Sequence, residues 1–403
     1  MSVAATNSLP TNRDENWRYA NLRALAKAPP EAVPASPVIP RESLPPVIPG
    51  FTRWVFVDGH FVPSLSGPHS HAGVTVLDHD TAGAAAALLD ADLASEGIDF
   101  SLARANAVRG RQVLHVALNE GSKAAVEVVF VAASAATAGI AYPRMQVHAG
   151  RNSFLNLVER HVSADAKDSV VNAAVDIALN AGAKVDHTRI QNCADGASVF
   201  DTLITRVGEN ADYRFRSITL GGVAARSTAF IKLAGRAARC EFIAASIANG
   251  LQSLDTFAEI EHAAPDTATR EVFRGIATER GKLAFNGKMI VRENAFDADS
   301  DQSLKTLLTG SGAEAAARPQ LEIYTDRVKA KHGATTGKLD EQMLFYLLSR
   351  GIERTTAQSL LQWAFIEDAV SKIEPAELRR EVERLVSQQL LEVSALGLVG
   401  ERS

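Results

Sequence analysis

At 403 residues, 46% of them apolar, the chain is long enough for two to three domains and can fill a substantial core. Lys plus Arg number 42 against 47 Asp plus Glu, a net charge of -5, and no segment concentrates basic residues among aromatics, which argues against a nucleic-acid partner. The N-terminal MSVAATNSLPTNRDEN lacks a basic stretch leading into an apolar one, and the most apolar window, Ala124 to Tyr142, is interrupted by Glu127. Neither a secretion signal nor a membrane span is expected, and the cytoplasm is the expected location.

In chain order, Glu15 to Lys27 is the first candidate helix, short and amphipathic, with Trp17, Leu22 and Leu25 on its apolar side. Eight prolines between Pro29 and Pro49 exclude a continuous helix or a central strand and favour extended polyproline II, so residues 1–50 read as a helix followed by a linker. Trp54 to Val62 alternates and turns at Asp58-Gly59, a hairpin signal. Ala82 to Arg109 is Ala/Leu-rich and helical, and Val113 to Leu118 and Val126 to Val131 read as strands. Residues 51–141 are therefore expected to form a small α/β domain.

Beyond Tyr142 the texture changes to short β-branched runs such as Val185 to Ile190, Tyr213 to Leu220, Cys240 to Ile243 and Leu283 to Val291, separated by Gly, Asn or Asp turns. Small turn elements near Gly150, Gly182, Gly208, Gly235 and Gly281 recur about every 30 residues. That period suits a solenoid whose coils each bury one face against the next, and favours a parallel β-helix over a sandwich for residues 142–334. Residues 335–403 turn helical. Asp340 to Ser349 ends at the stop Gly351, Thr355 and Gln358 could form a capping box for a helix to about Ile373, and Pro375 suits the first turn of a last helix reaching about Val393. The middle helix carries two apolar sides. Leu360, Leu361, Ala364 and Phe365 are expected to cover the β-helix end, and Trp363, Ile366, Val370 and Ile373 to remain for another chain.

Catalytic and metal motifs largely fail on spacing. Asp297, Asp299 and Asp301 imitate a calcium loop, but Gln302 stands at position six and Leu308 at position twelve, so a solvated loop is expected. Gly333 to Lys338 (GATTGK) is one residue short of a phosphate loop, and Leu339 replaces the hydroxyl that holds magnesium. His60, His69, His71 and His79 cluster in Gly/Pro/Ser-rich sequence and read as surface histidines. Cys193 and Cys240 are the two cysteines; without C-x-x-C spacing they read as buried packing and cannot make a four-thiolate cluster site. His332 is different. Leu321, Ile323 and Tyr324 precede it as a strand-like run, Gly333 and Gly337 permit positive φ, and Asp340 can cap the next helix, so His332 is expected in a polar turn, where a neutral imidazole could serve iron.

The stretch RPQLEIYTDRVKAKHGATTGKLD, Arg318 to Asp340, resembles the C-terminal signature of the SufD branch of the SufB/SufD family of iron–sulfur cluster assembly proteins. Glu15 to Leu22 (ENWRYANL) and Trp54 to Leu65 (WVFVDGHFVPSL) carry the same likeness. The SufB branch is less similar: it typically places a glutamate where Gly333 stands and a cysteine upstream, and no cysteine lies between Leu307 and Lys331. Many SufD members have a cysteine two residues before the histidine; Ala330 occupies that position here.

The resemblance implies a right-handed parallel β-helix core with a small α/β N-terminal domain and a C-terminal helical domain. It implies a non-catalytic scaffold of the SufBCD complex, a hetero-oligomer in which the β-helix edge pairs with SufB and the C-terminal helices dock the ATPase SufC. His332 would be a metal ligand shared with SufB, and Trp363, Ile366 and Val370 the expected SufC contact. A cluster is expected only transiently in the complex, with none held by the chain alone, and the resemblance assigns no flavin site. Two rival functions follow from the fold itself. A carbohydrate-active β-helix needs stacking aromatics, and of three Trp and five Tyr only Tyr213 lies between residues 143 and 323. A partner-free structural solenoid would run as a monomer beside SufB and SufC.

Overall fold

The computed structural model describes residues 9–34, 37–67, 73–78, 98–164 and 168–400, with side chains through Leu391. His69, His71, His79 and most of the expected helix before residue 98 lie outside the described residues. The strands in chain order are β1 (Thr52–Val57), β2 (His60–Phe61), β3 (Val74–Asp78), β4 (Gln112–Leu118), β5 (Lys123–Ala132), β6 (Arg144–Ala149), β7 (Phe154–Ser163), β8 (Val170–Leu179) and β9 (Lys184–Cys193). They continue as β10 (Ser198–Val207), β11 (Asp212–Gly221), β12 (Ala224–Leu233), β13 (Arg239–Ala248), β14 (Ser253–His262), β15 (Ala268–Ala277), β16 (Lys282–Val291), β17 (Ala298–Leu308), β18 (Glu314–Ile323) and β19 (Val328–Gly337). The helices are α1 (Arg23–Lys27), α2 (Ser101–Arg109), α3 (Glu341–Ser349), α4 (Arg354–Val370) and α5 (Ala376–Gly400).

From β4 onward odd strands join one sheet and even strands the other, so the chain winds as a flattened parallel β-helix with two strands per coil. Strands of the first sheet begin 27 to 30 residues apart from β7 to β19, the period visible in the turn residues. Both sheets run unbroken through residue 142, because β5 pairs β7 and β4 pairs β6 in parallel. At the N-terminal edges the short strands β2 and β3 add antiparallel. The Asp58-Gly59 turn joining β1 to β2 has φ of 50° and 86°, the left-handed pair that a two-residue hairpin requires.

One corner repeats a single device. Asn152, Gly182, Asn210, Ala237, Asp266 and Asp297 all have φ between 53° and 69°. Each donates its N–H to a carbonyl one coil on, those of Ala181, Glu209, Arg236, Pro265, Phe296 and Arg327, at 2.7 to 3.1 Å. Stacked hydrogen bonds hold even Ala237 in a conformation that would otherwise cost an L-residue about 1–2 kcal/mol. Beside it the coils touch so closely that a Cβ on Gly235 would stand 2.0 Å from the Glu209 nitrogen.

Alternation along each strand sends one set of side chains inward and the other outward, yet the middle strands are buried on both sides. The interior holds Leu155, Leu157, Phe215, Phe242, Phe273, Phe285 and Leu304. The outer face of the even sheet is covered by the N-terminal segment and α2, through Trp17, Leu22, Leu25 and Leu102 against Val170 and Phe200. The outer face of the odd sheet is covered by α4 and α5, through Ile366, Val370, Ile373, Leu378 and Val382 against Val158, Ile190, Ile218, Ile243 and Val272. The chelate of Arg160 on Glu381, at 2.7 and 2.9 Å, fastens α5 to that sheet.

Several local expectations change. Glu15 to Lys27 forms a 3-10 turn at Glu15–Trp17 and the short α1 rather than one helix, because Asn12 Nδ2 donates to the Trp17, Arg18 and Ala20 carbonyls and turns the chain between them. The proline-rich stretch is a strap lying on the body: Val33, Ile39 and Ile48 are buried, and Arg53 donates to the Pro45 and Pro46 carbonyls. The cap of α4 is Glu353, whose carboxylate accepts from the Thr356 N–H, in place of Thr355. Asp299 and Asp301 belong to β17 and not to a loop, since the ladder with β15 continues through them.

Candidate functional site

The last coil is built like the others and finished differently. β18 pairs only with β16, β19 pairs only with β17, and no described strand adds beyond either. Every residue of β19 is exposed or half-buried, and β18 has no fully buried residue. Two adjacent strand edges therefore offer unpaired backbone groups at one end of the solenoid, the usual template for strand addition.

His332 stands at this end, in the middle of β19 and in register with Gln302. The expected polar turn is thus a strand. Parallel pairing with β17 carries on through Gly333 and Gly337, neither of which adopts positive φ or would meet any atom with an added Cβ. Asp340 does cap the next helix, with Oδ1 accepting from the Gln342 and Met343 N–H groups at 2.9 and 3.1 Å. Lys331 faces outward to Asp301 at 3.1 Å, and alternation turns His332 to the interior column, open to solvent because no coil follows. Among the described residues no three His, Cys, Asp or Glu side chains are grouped to hold a metal ion.

The expected partner face on α4 is corrected by packing. Ile366 and Val370 are 0% exposed, sealed against the odd sheet and α5, and Trp363 is half-buried against the same cluster. They serve the core because α4 lies along the flank of the solenoid, over β13 and β15, rather than across its end. The exposed apolar side chains nearby are Met343, Phe345 and Tyr346 on α3 and Leu360 on α4, with Phe365 half-buried. Phe345 is the most open of these at 73%.

The remaining candidates resolve simply. His60 lies on β2 with Nε2 2.9 Å from the Val33 carbonyl oxygen. Cys193 and Cys240 are free and buried at opposite ends of β9 and β13; burial pushes the Cys193 thiol up to about 12 and Cys240 well above its ordinary value, which keeps both as thiols. Tyr213 is fully buried and cannot stack on a sugar.

Sequence reasoning missed a polar cluster inside the solenoid. Glu159 is bracketed by His161 Nε2 at 2.5 Å and His187 Nε2 at 3.0 Å, and His187 Nδ1 reaches Tyr213 Oη at 3.1 Å. Burial works to raise the Glu159 carboxyl, yet the hydrogen bonds from the two imidazoles hold it well below the usual range. Beside it Arg189 joins Asp201 at 2.5 Å and Ser227 at 2.9 Å. The available signal was charge at every second position of ERH and HTR, which puts ionisable groups on the face that elsewhere carries Leu and Phe.

Residues 130–365 match the SufBD core domain of SUF-system FeS cluster assembly proteins. The chain is 28% identical over 393 residues to the iron–sulfur cluster assembly protein SufD of Escherichia coli, covering 95% of this chain and 89% of that protein. It is 26% identical over 396 residues to an iron–sulfur cluster assembly SufBD family protein of Synechocystis, covering 94% and 87%. Against the SufD protein of Plasmodium berghei it is 27% identical over 245 residues, 60% of this chain and 18% of that longer one. Together with the parallel β-helix and helical C-terminus, these matches place the chain in the SufBD family of iron–sulfur cluster assembly proteins, as a member of the SufD type.

Proposed function

We propose that this protein is a non-catalytic scaffold subunit of a SufBCD complex that pairs with SufB through the edges of β18 and β19 and docks SufC on its C-terminal helices. The observation that carries the reading is the uncapped last coil, where two unpaired strand edges and the inward column ending at His332 lie together. A second β-helix added there would satisfy the free backbone groups and enclose His332, so the imidazole and ligands from SufB could share an iron–sulfur cluster as cargo. The chain alone, with two buried thiols far apart, is proposed to hold no stable cluster. Free thiols also suit a cytoplasmic location. For SufC the supporting feature is the exposed apolar set Met343, Phe345, Tyr346 and Leu360.

His332→Ala tests the reading. An exposed side chain contributes little packing, so the variant should fold and co-purify with SufB and SufC. Anaerobic cluster formation by that complex, followed by visible absorption, should fall. Wild-type yield would remove His332 from the site, and failure to retain SufB would make its role structural.

A further inference from the structure

Three stacked positions lead inward from His332. Glu271 of β15 is in register with Gln302 of β17, and Gln302 with His332 of β19. Gln302 is 1% exposed, and its Nε2 donates to Glu271 Oε2 and, at 3.0 Å, to the Gly287 carbonyl. A carbonyl can only accept, so the amide nitrogen is the atom that faces Gly287 and Oε1 is turned the other way. That Oε1 is buried without a hydrogen-bond partner. Room for the arrangement comes from the bare backbone at Gly287, where a Cβ would stand 2.3 Å from Gln302 Nε2 and 2.8 Å from Glu271 Oε2. Burial pushes the Glu271 carboxyl up to about 8, against the Gln302 hydrogen bond that lowers it, so the pair sits neutral beneath His332 near pH 7.

A buried amide oxygen left without a donor costs roughly 1–3 kcal/mol. Successive strands are about 4.8 Å apart, a gap that a glutamine and an imidazole in register can close with one hydrogen bond. We propose that Gln302 is a positioning residue for His332: its Oε1 accepts one ring N–H of the imidazole, fixes the tautomer, and leaves the lone pair of the other ring nitrogen directed out of the open end of the solenoid. Ligating histidines are commonly oriented through their second nitrogen in this way. The use of that lone pair for iron rests on the function proposed above; the hydrogen bond itself does not.

Nitrogen NMR on the histidine-labelled full chain near pH 7.5, where an ordinary imidazole is about nine-tenths neutral, reads the tautomer directly. The His332 signals are those lost in His332→Ala. Wild type should show a single neutral tautomer, Gln302→Met should relax it to the mixture of a free imidazole, and Glu271→Gln should keep it, because a neutral acceptor for Gln302 Nε2 remains. In the assembled complex, Gln302→Met should lower cluster yield about tenfold or more. A free-imidazole mixture in wild type overturns the proposal even if Gln302→Met fails to fold, and so does a single tautomer that survives Gln302→Met. If the tautomer is locked through Gln302 while His332→Ala leaves cluster yield unchanged, the positioning stands and the iron-ligand reading falls.

Discussion

The coil of β13 and β14 and the coil of β18 and β19 share one backbone register and differ in what surrounds them. In the first, Phe242 packs at 5.2 Å from the Phe215 ring and 6.3 Å from Phe285, Ile243 and Ile247 lie under the C-terminal helices, and both strands have neighbours on each side. In the second, Ala317 and Leu321 touch the interior core from one side only, and β19 adds no residue to it. A solenoid coil draws its stability from its neighbours, so a coil with one neighbour is the natural place to leave a surface for a partner.

That contrast is broken most directly at the core. Phe242→Ala should lower unfolding free energy by about 3–5 kcal/mol through lost burial and a cavity, whereas Lys331→Ala on β19 should stay within about 0.5 kcal/mol. Thermal denaturation of both variants checks this; equal losses would mean that the last coil is as fully supported as the middle ones.

The C-terminal helices repeat the contrast on a smaller scale. Ile366→Asp should cost on the order of 3 kcal/mol or more by burying a charge between α4 and the odd sheet, and hydrogen exchange should rise along α4 and α5. Phe345→Asp should leave stability within about 0.5 kcal/mol and reduce SufC retention in a pull-down without SufB. Unchanged retention with Phe345→Asp would move the docking surface off α3.

A last test concerns pH. Glu271 titrates near 8 when folded against 4.5 for the ordinary group, so between those values the folded state holds a proton that the unfolded state has released. Unfolding free energy therefore declines as pH rises from about 4.5 to about 8 and flattens above, an effect absent in Glu271→Gln. Parallel stability profiles for wild type and Glu271→Gln would show that Glu271 is ionised in the fold at neutral pH.

Much of the architecture was legible because solenoids write their period into sequence. The Gly and Asn turns about every 30 residues marked the coils, and β-branched runs marked their strands, since those depend on local backbone preference. The Asp58-Gly59 hairpin and the Asp340 cap were equally local. Ala237 gave no turn signal, because its left-handed backbone is imposed by hydrogen bonds to the next coil. His332 was misplaced for a related reason. The small and polar KHGATTG lacks strand propensity, and pairing with β17 overrides it.

By itself, then, the sequence determined the repeat, the helical tail and the presence of an unusual histidine, all of which follow from local preference and spacing along the chain. Tertiary structure decided which face of α4 is sealed, that Gln302 and Glu271 lie beneath His332, and that Glu159 is shared by two imidazoles inside the solenoid. Apart from Glu159 and His161, two residues apart on β7, those relations join residues about thirty or more apart, or on different layers, and they exist only once parallel register brings successive coils within hydrogen-bonding distance.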